Sequence, residues 1–218
     1  ISEICNQSGT LFMTDATQAV GKIPVDVSEW NIDFLTFSGH KFYAPKGVGA
    51  LYYSKKGKKQ LMPQIHGGGQ ENSLRSGTLN TAAIVGLGKA CKIILGDLKI
   101  NEDKVKKLRD KLENELLKIE QSSINGSIEH RIFNVSNICF PNLEADVLIA
   151  KLKNIALSNG SACTSEIIEP SHVLKAMGLT TDQANGSIRF SLSKFNTEEE
   201  INITVREIRS YISSLQST

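Results

Sequence analysis

Two polar clusters stand out because each follows a short apolar run. Phe34-Leu35-Thr36-Phe37 leads into Ser38-Gly39-His40-Lys41, and Leu11-Phe12-Met13 leads into Asp15-Ala16-Thr17-Gln18. A lysine at one strand end and a carboxylate at a neighbouring one are the pair that pyridoxal phosphate chemistry needs. The amine bonds the cofactor as a Schiff base, and the carboxylate keeps the pyridine nitrogen protonated so that the ring withdraws electrons. Ser38 and His40 add donors for the phosphate group. Taken alone, Lys41 reads as a solvated loop charge and Asp15 as a turn residue. It is the pairing that points to chemistry, because open α/β sheets bind ligands at the carboxyl ends of their strands.

A third candidate lies far along the chain. Cys163 sits in Ser161-Ala162-Cys163-Thr164-Ser165, a loop of small residues that permits a nucleophile to travel. The other cysteines, Cys5, Cys91 and Cys139, read as small buried hydrophobes on helices or strands. No CxxC or CxH spacing occurs, so a zinc knuckle or thioredoxin-type site is not expected.

The elements that must position these residues follow from periodicity. Residues 11–13, 34–37 and 48–53 read as short buried strands bounded by turn formers, the pattern of an α/β sheet. A loop rich in glycine spans 63–80. One helix is expected from Thr81 to about Leu95 and a second from Glu102 to Ile119, the latter with Val105, Leu108, Leu112, Leu116 and Ile119 on one face. Beyond it, 131–140 reads as a strand, 146–152 as a helix, and Ile188-Arg189-Phe190-Ser191-Leu192 alternates like a half-buried strand. Thr197-Glu198-Glu199-Glu200 announces a capping box and a last helix. The order suggests two α/β pieces joined near 95–101.

Composition closes off other classes. The 218 residues are 40% hydrophobic and 22% charged, enough for a real core and unlike a disordered or collagenous chain. Twenty-five basic against 23 acidic residues leave a net charge of +2, too small a field to make nucleic acid or a membrane the expected partner. No apolar run of about 18 residues occurs. Ile1-Ser2-Glu3-Ile4-Cys5 has neither an initiator methionine nor a signal-peptide pattern and reads as the end of a helix. The expectation is a cytoplasmic protein of which this chain is the carboxy-terminal portion.

Five ordered motifs then carry a resemblance. TDATQAVGK, FSGHKFYAPKGVGALY, GGGQENSLRSGTLN, SNGSACTSEIIEPSHVL and SIRFSLSKFNTEEE resemble cysteine desulfurases of the NifS/IscS type, over the whole chain and in the right order. The resemblance implies the fold-type I, class V architecture of pyridoxal-phosphate-dependent enzymes. Residues 1–97 would be the second half of the large cofactor domain, and 98–218 the small C-terminal α/β domain carrying the cysteine loop. It implies Lys41 as the Schiff-base lysine, Asp15 at the pyridine nitrogen, Gln18 at the phenolic oxygen, and Ser38 and His40 on the phosphate. Thr78 would contact the phosphate of the other subunit in a homodimer. Arg189 would clamp the substrate carboxylate, a task suited to a planar guanidinium.

The implied reaction takes L-cysteine to L-alanine. Lys41 removes the α-proton, and the Cys163 thiolate attacks the substrate sulfur to leave a persulfide for an acceptor such as an iron-sulfur scaffold protein. SACTS in a longer loop resembles the scaffold-serving group of the family. It also argues against aminotransferase chemistry, which needs no loop cysteine. The family's first half supplies a ring-stacking imidazole, an asparagine and a threonine that no residue here matches; His66, His130 and His172 do not fall on that position. The alternative is therefore a truncated homologue that dimerises or docks sulfur acceptors without turnover.

Overall fold

The computed structural model describes residues 1–159 and 170–216. They form two compact units, Ile1–Leu98 and the residues from Lys99 onward.

The first unit opens with α1 (Ser2–Gln7) and is built on a three-stranded sheet of β1 (Met13–Asp15), β2 (Phe34–Ser38) and β3 (Gly49–Tyr53) in that order. β1 pairs parallel to β2, with Asp15 opposite Thr36, and β3 returns antiparallel. The core gathers Ala16, Ile32 and Leu35 against Phe12, Val20, Phe37 and Tyr52. Asp33, itself buried, ties this end together: its carboxylate accepts from the Phe12 amide at 3.1 Å and from the Ser54 hydroxyl at 2.8 Å. The strands are less covered than their apolar sequences suggest. Met13 is 60% and Leu51 45% exposed, because β1 and β3 are the two edges of a narrow sheet.

Between β2 and β3 the chain makes a 3-10 turn, Gly39–Phe42, which ends on Tyr43 in the left-handed region at φ 73°. Gly39 is required there. A β-carbon on it would lie 2.9 Å from Ala44 Cβ, 2.9 Å from Leu87 Cδ1 and 3.2 Å from the Val48 carbonyl. After β3 come α2 (Lys55–Lys58) and the glycine-rich loop, in which Glu71, Asn72 and Ser73 are all left-handed.

The helix α3 runs unbroken from Thr81 to Leu116, where the sequence suggested two helices with a break near 95–101. Gly96 costs helical stability relative to alanine, about 1 kcal/mol, but does not by itself end a helix. Lys99 reaches Glu102 and Asp103 at 3.2 and 3.1 Å, side-chain pairs of the kind that carry a helix across such a weak point.

In the second unit β4 (Ser123–Ile124), β5 (Val135–Cys139) and β6 (Ser187–Ser191) form an antiparallel sheet in that order. The short helices α4 (Ala145–Lys151), α5 (His172–Ala176) and α6 (Thr181–Asn185) fill its connections, and α7 (Glu198–Gln216) closes the chain. Val105, Leu112 and Leu116 of α3 and Ile201, Val205 and Ile208 of α7 pack with Ile138, Leu148, Ile188 and Phe190 in one core. Inside it Arg131 grips Glu113 with two parallel bonds of 2.6 and 2.8 Å, a bidentate pair that satisfies a buried carboxylate. The capping box at Thr197 is present: the Glu200 amide donates to the Thr197 hydroxyl at 3.2 Å, and the Thr197 amide donates to the Glu200 carboxylate at 2.9 Å.

Two predictions follow from this packing. Gly39→Ala should destabilise by about 1–3 kcal/mol, since Ala44 and the Val48 carbonyl cannot move aside cheaply. Gly88→Ala should instead stabilise by up to about 1 kcal/mol, because a β-carbon there meets nothing within 4 Å and alanine favours the helix. Denaturant unfolding of both variants checks the opposite signs. The second concerns pH. The Asn196 amide and then the Thr197 N–H hold the Glu200 carboxyl below the usual glutamate range. A lowered folded value means that its contribution is present above the ordinary glutamate value and lost as pH falls through the folded one. The melting-temperature gap between wild type and Glu200→Ala should therefore be open at neutral pH and narrow below about pH 4.

Candidate functional site

The parallel register of β1 and β2 sets the site. Asp15 closes β1 and Ser38 closes β2, so both point their following residues out of the same end of the sheet. The Ala16 amide still donates to the Thr36 carbonyl at 2.8 Å, extending the pairing one residue past Asp15. At that end the chain after Asp15 turns at once. The Thr17 N–H donates to the Asp15 carboxylate at 2.8 Å. The Thr17 hydroxyl and that N–H together hold the carboxyl below its ordinary range, so the exposed Asp15 is an anion at neutral pH.

The turns after Asp15 place Gln18 and Lys22 on one face. Val20 and Lys22 donate their amides to the carbonyls of Ala16 and Ala19, a helix-like winding in which positions four apart become neighbours. Gly21, at φ 80°, lets Phe42 pack against this segment; a β-carbon there would come within 2.5 Å of Phe42 Cβ. Phe42 is the residue after Lys41, so the two turns are locked to each other. Lys22 is buried, and burial, then the nearby Lys41 charge, pushes its ammonium below the ordinary lysine range. Lys41 and His40 are exposed on the 3-10 turn, and Ser38 is half-buried beside them.

Asp15, Gln18, Ser38, His40 and Lys41 thus share one edge of the first unit. Thr78 is exposed in the loop before α3, whose shape is held by Ser76: its hydroxyl donates to the Gly68 carbonyl at 2.6 Å. Gly77 N–H donates to Gln70 Oε1 at 3.1 Å, again fixing the chain next to Thr78. Arg189 belongs to the second unit. On β6 its neighbours Ile188 and Phe190 face the core while its own side chain is exposed. Its amide donates to the Ser158 carbonyl at 2.6 Å and its guanidinium to the Ser158 hydroxyl at 3.3 Å. Cys163 lies outside the described residues.

Cys139 is buried against the Gln183 carbonyl, and burial pushes its thiol up. Cys5 and Cys91 are free and half-buried, more accessible than their apolar sequence settings suggest. Among the described residues no cluster of three or more His, Cys, Asp or Glu could hold a metal ion, and no helix is long and apolar enough to cross a membrane. Lys22 was not singled out by the sequence. Its signal was the spacing of four residues from Gln18, legible only once the segment after Asp15 is known to wind in helix-like turns.

Comparison with known proteins adds the context of the whole chain. The chain is 46% identical, over 216 residues, to the cysteine desulfurase IscS of Pectobacterium atrosepticum, an alignment covering 99% of this chain and 54% of that protein. Its structure resembles that of a NifS-like protein from Rickettsia africae with a TM-score of 0.87 at 34% identity, covering 97% of this chain and 56% of that one. It also resembles SspA, solved in complex with cysteine, with a TM-score of 0.72 at 36% identity, covering 90% of this chain and 54% of the other. The chain therefore spans about half the length of these relatives. The Aminotransferase class-V model matches residues 1–203, and with that match the chain belongs to the class V aminotransferase family.

Proposed function

We propose that this chain carries the lysine, cysteine and arginine of a cysteine desulfurase that takes sulfur from L-cysteine, releases L-alanine and passes a persulfide to an acceptor such as an iron-sulfur scaffold protein. The observation that carries the reading is the shared strand end of Asp15 and Lys41: an ionised carboxylate and an exposed amine follow neighbouring parallel strands. The homologues named cysteine desulfurase and the relative solved with cysteine support the substrate class. In this reading residues 1–97 belong to the large cofactor domain and 98–218 form the small domain.

The donor set fits pyridoxal phosphate. Asp15, held as an anion by Thr17, suits a protonated ring nitrogen; Lys41 suits the aldehyde; Ser38 and His40, and Thr78 from a second copy in a homodimer, suit the phosphate. When bound, the cofactor supplies an electron-withdrawing ring that stabilises negative charge on the substrate α-carbon. The chain's own residues do the rest. Arg189 grips the substrate carboxylate; it is hydrogen-bonded to Ser158, five residues before Cys163 in sequence. Lys41 takes the α-proton and returns a proton to carbon. The Cys163 thiolate forms the new S–S bond as the substrate C–S bond breaks.

Two variants separate these roles. In protein supplied with pyridoxal phosphate, Lys41→Ala should lose the visible absorbance band and lower alanine formation at least about 100-fold, the lower end of what a positioned general base contributes. Cys163→Ser should keep the band and the bound cofactor but form no persulfide from L-cysteine, because a hydroxyl cannot accept the sulfur. An unchanged band in Lys41→Ala, or equal persulfide in Cys163→Ser, contradicts the assignment.

A further inference from the structure

The least expected group in the first unit is the buried ammonium of Lys22. It is only 9% exposed, and among the described residues no carboxylate lies within ion-pair distance of it. A buried charge needs strong compensation, and among the described residues that comes from Gln18. Lys22 Nζ donates to the Gln18 side-chain Oε1 at 2.8 Å and to the Gln18 main-chain carbonyl at 3.1 Å.

The chemistry of this contact fixes an orientation. An ammonium has three donors and no acceptor, so it can bind only the oxygen end of an amide. Gln18 is therefore held with Oε1 toward Lys22 and its NH2 group turned away. An amide free to flip could offer either end to a ligand; this one offers N–H donors. Gly21 and Phe42 lock the clamp to the turn that bears Lys41, so the amide and the reactive amine keep a constant relation.

We infer that Lys22 is a positioning residue, fixing the Gln18 amide so that it meets the ring oxygen of pyridoxal phosphate as a hydrogen-bond donor. The inference rests on the cofactor reading above and adds to it a residue that touches neither cofactor nor substrate. A turn-stabilising role for Lys22 is the competing explanation, and the two differ in what a double substitution does.

The test is the dissociation constant for pyridoxal phosphate, read from the visible band, in wild type, Lys22→Met, Gln18→Leu and the double variant. One neutral hydrogen bond corresponds to an affinity change of about twofold to tenfold, and each single variant should weaken binding within that range. The double variant should bind no more weakly than Gln18→Leu, because Lys22 acts only through the amide. Melting of the cofactor-free protein provides the second reading: Lys22→Met should melt at or above wild type, since a methionine of similar shape leaves no buried charge behind. Losses that multiply in the double variant, unaltered affinity in Lys22→Met, or a cofactor-free protein destabilised by it would overturn the inference. If Lys22→Met does not fold, Lys22→Gln, too short to hold the clamp, gives the same comparison. Wild-type protein without any visible band would instead overturn the cofactor reading, and the Lys22 inference with it.

Discussion

Parallel pairing of β1 with β2 is the constraint from which the candidate site follows. A parallel pair sends both chains out at the same end, so the residues after Asp15 and after Ser38 must share one edge. The side-chain period of a strand is two, and a slip of one residue would turn Leu35 out of the core and Thr36 into it. The buried Leu35 therefore guards the register that puts Asp15 opposite Thr36. Two glycines complete the arrangement: Gly39 admits Ala44 and Leu87 beside the lysine turn, and Gly21 admits Phe42.

The second unit solves a different problem with the same tools. Arg189 stays at the surface of a strand whose Ser187, Ile188 and Phe190 are buried. Alternation does this: Ile188 and Phe190 are buried while Arg189 faces out. The bridge between Ser158 and Arg189 then fixes the backbone on that side, and β5 fixes it on the other through Asn137. Arg189 is thereby flanked by backbone partners on both sides, which fixes where its side chain leaves the sheet.

Much of this was legible in the sequence. The apolar run before Ser38 marked β2 within a residue, the run at 11–13 fell two residues ahead of β1, and the capping box at Thr197 marked the start of α7 within a residue. These features are local, set by the period of a strand or by hydrogen bonds three residues apart. What was not legible depends on partners distant in sequence. The helix break suggested near 95–101 did not occur, because Gly96 only weakens a helix that ion pairs at Lys99 and buried Val105 and Leu108 sustain. The exposure of β1 and β3 follows from their edge positions, which no apolar run reveals. Lys22 read as one more surface lysine until the winding after Asp15 placed it over Gln18.

In the proposed function Lys41, rather than its buried neighbour Lys22, is the amine that takes the cofactor. Borohydride reduction of the protein with pyridoxal phosphate, followed by peptide mass mapping, tests it most directly. An exposed amine on the lysine turn should carry the pyridoxyl label, while Lys22, burial-shielded and engaged with Gln18, should remain unlabelled. A label on Lys22 or spread over surface lysines, with Lys41 unmodified, would overturn that assignment.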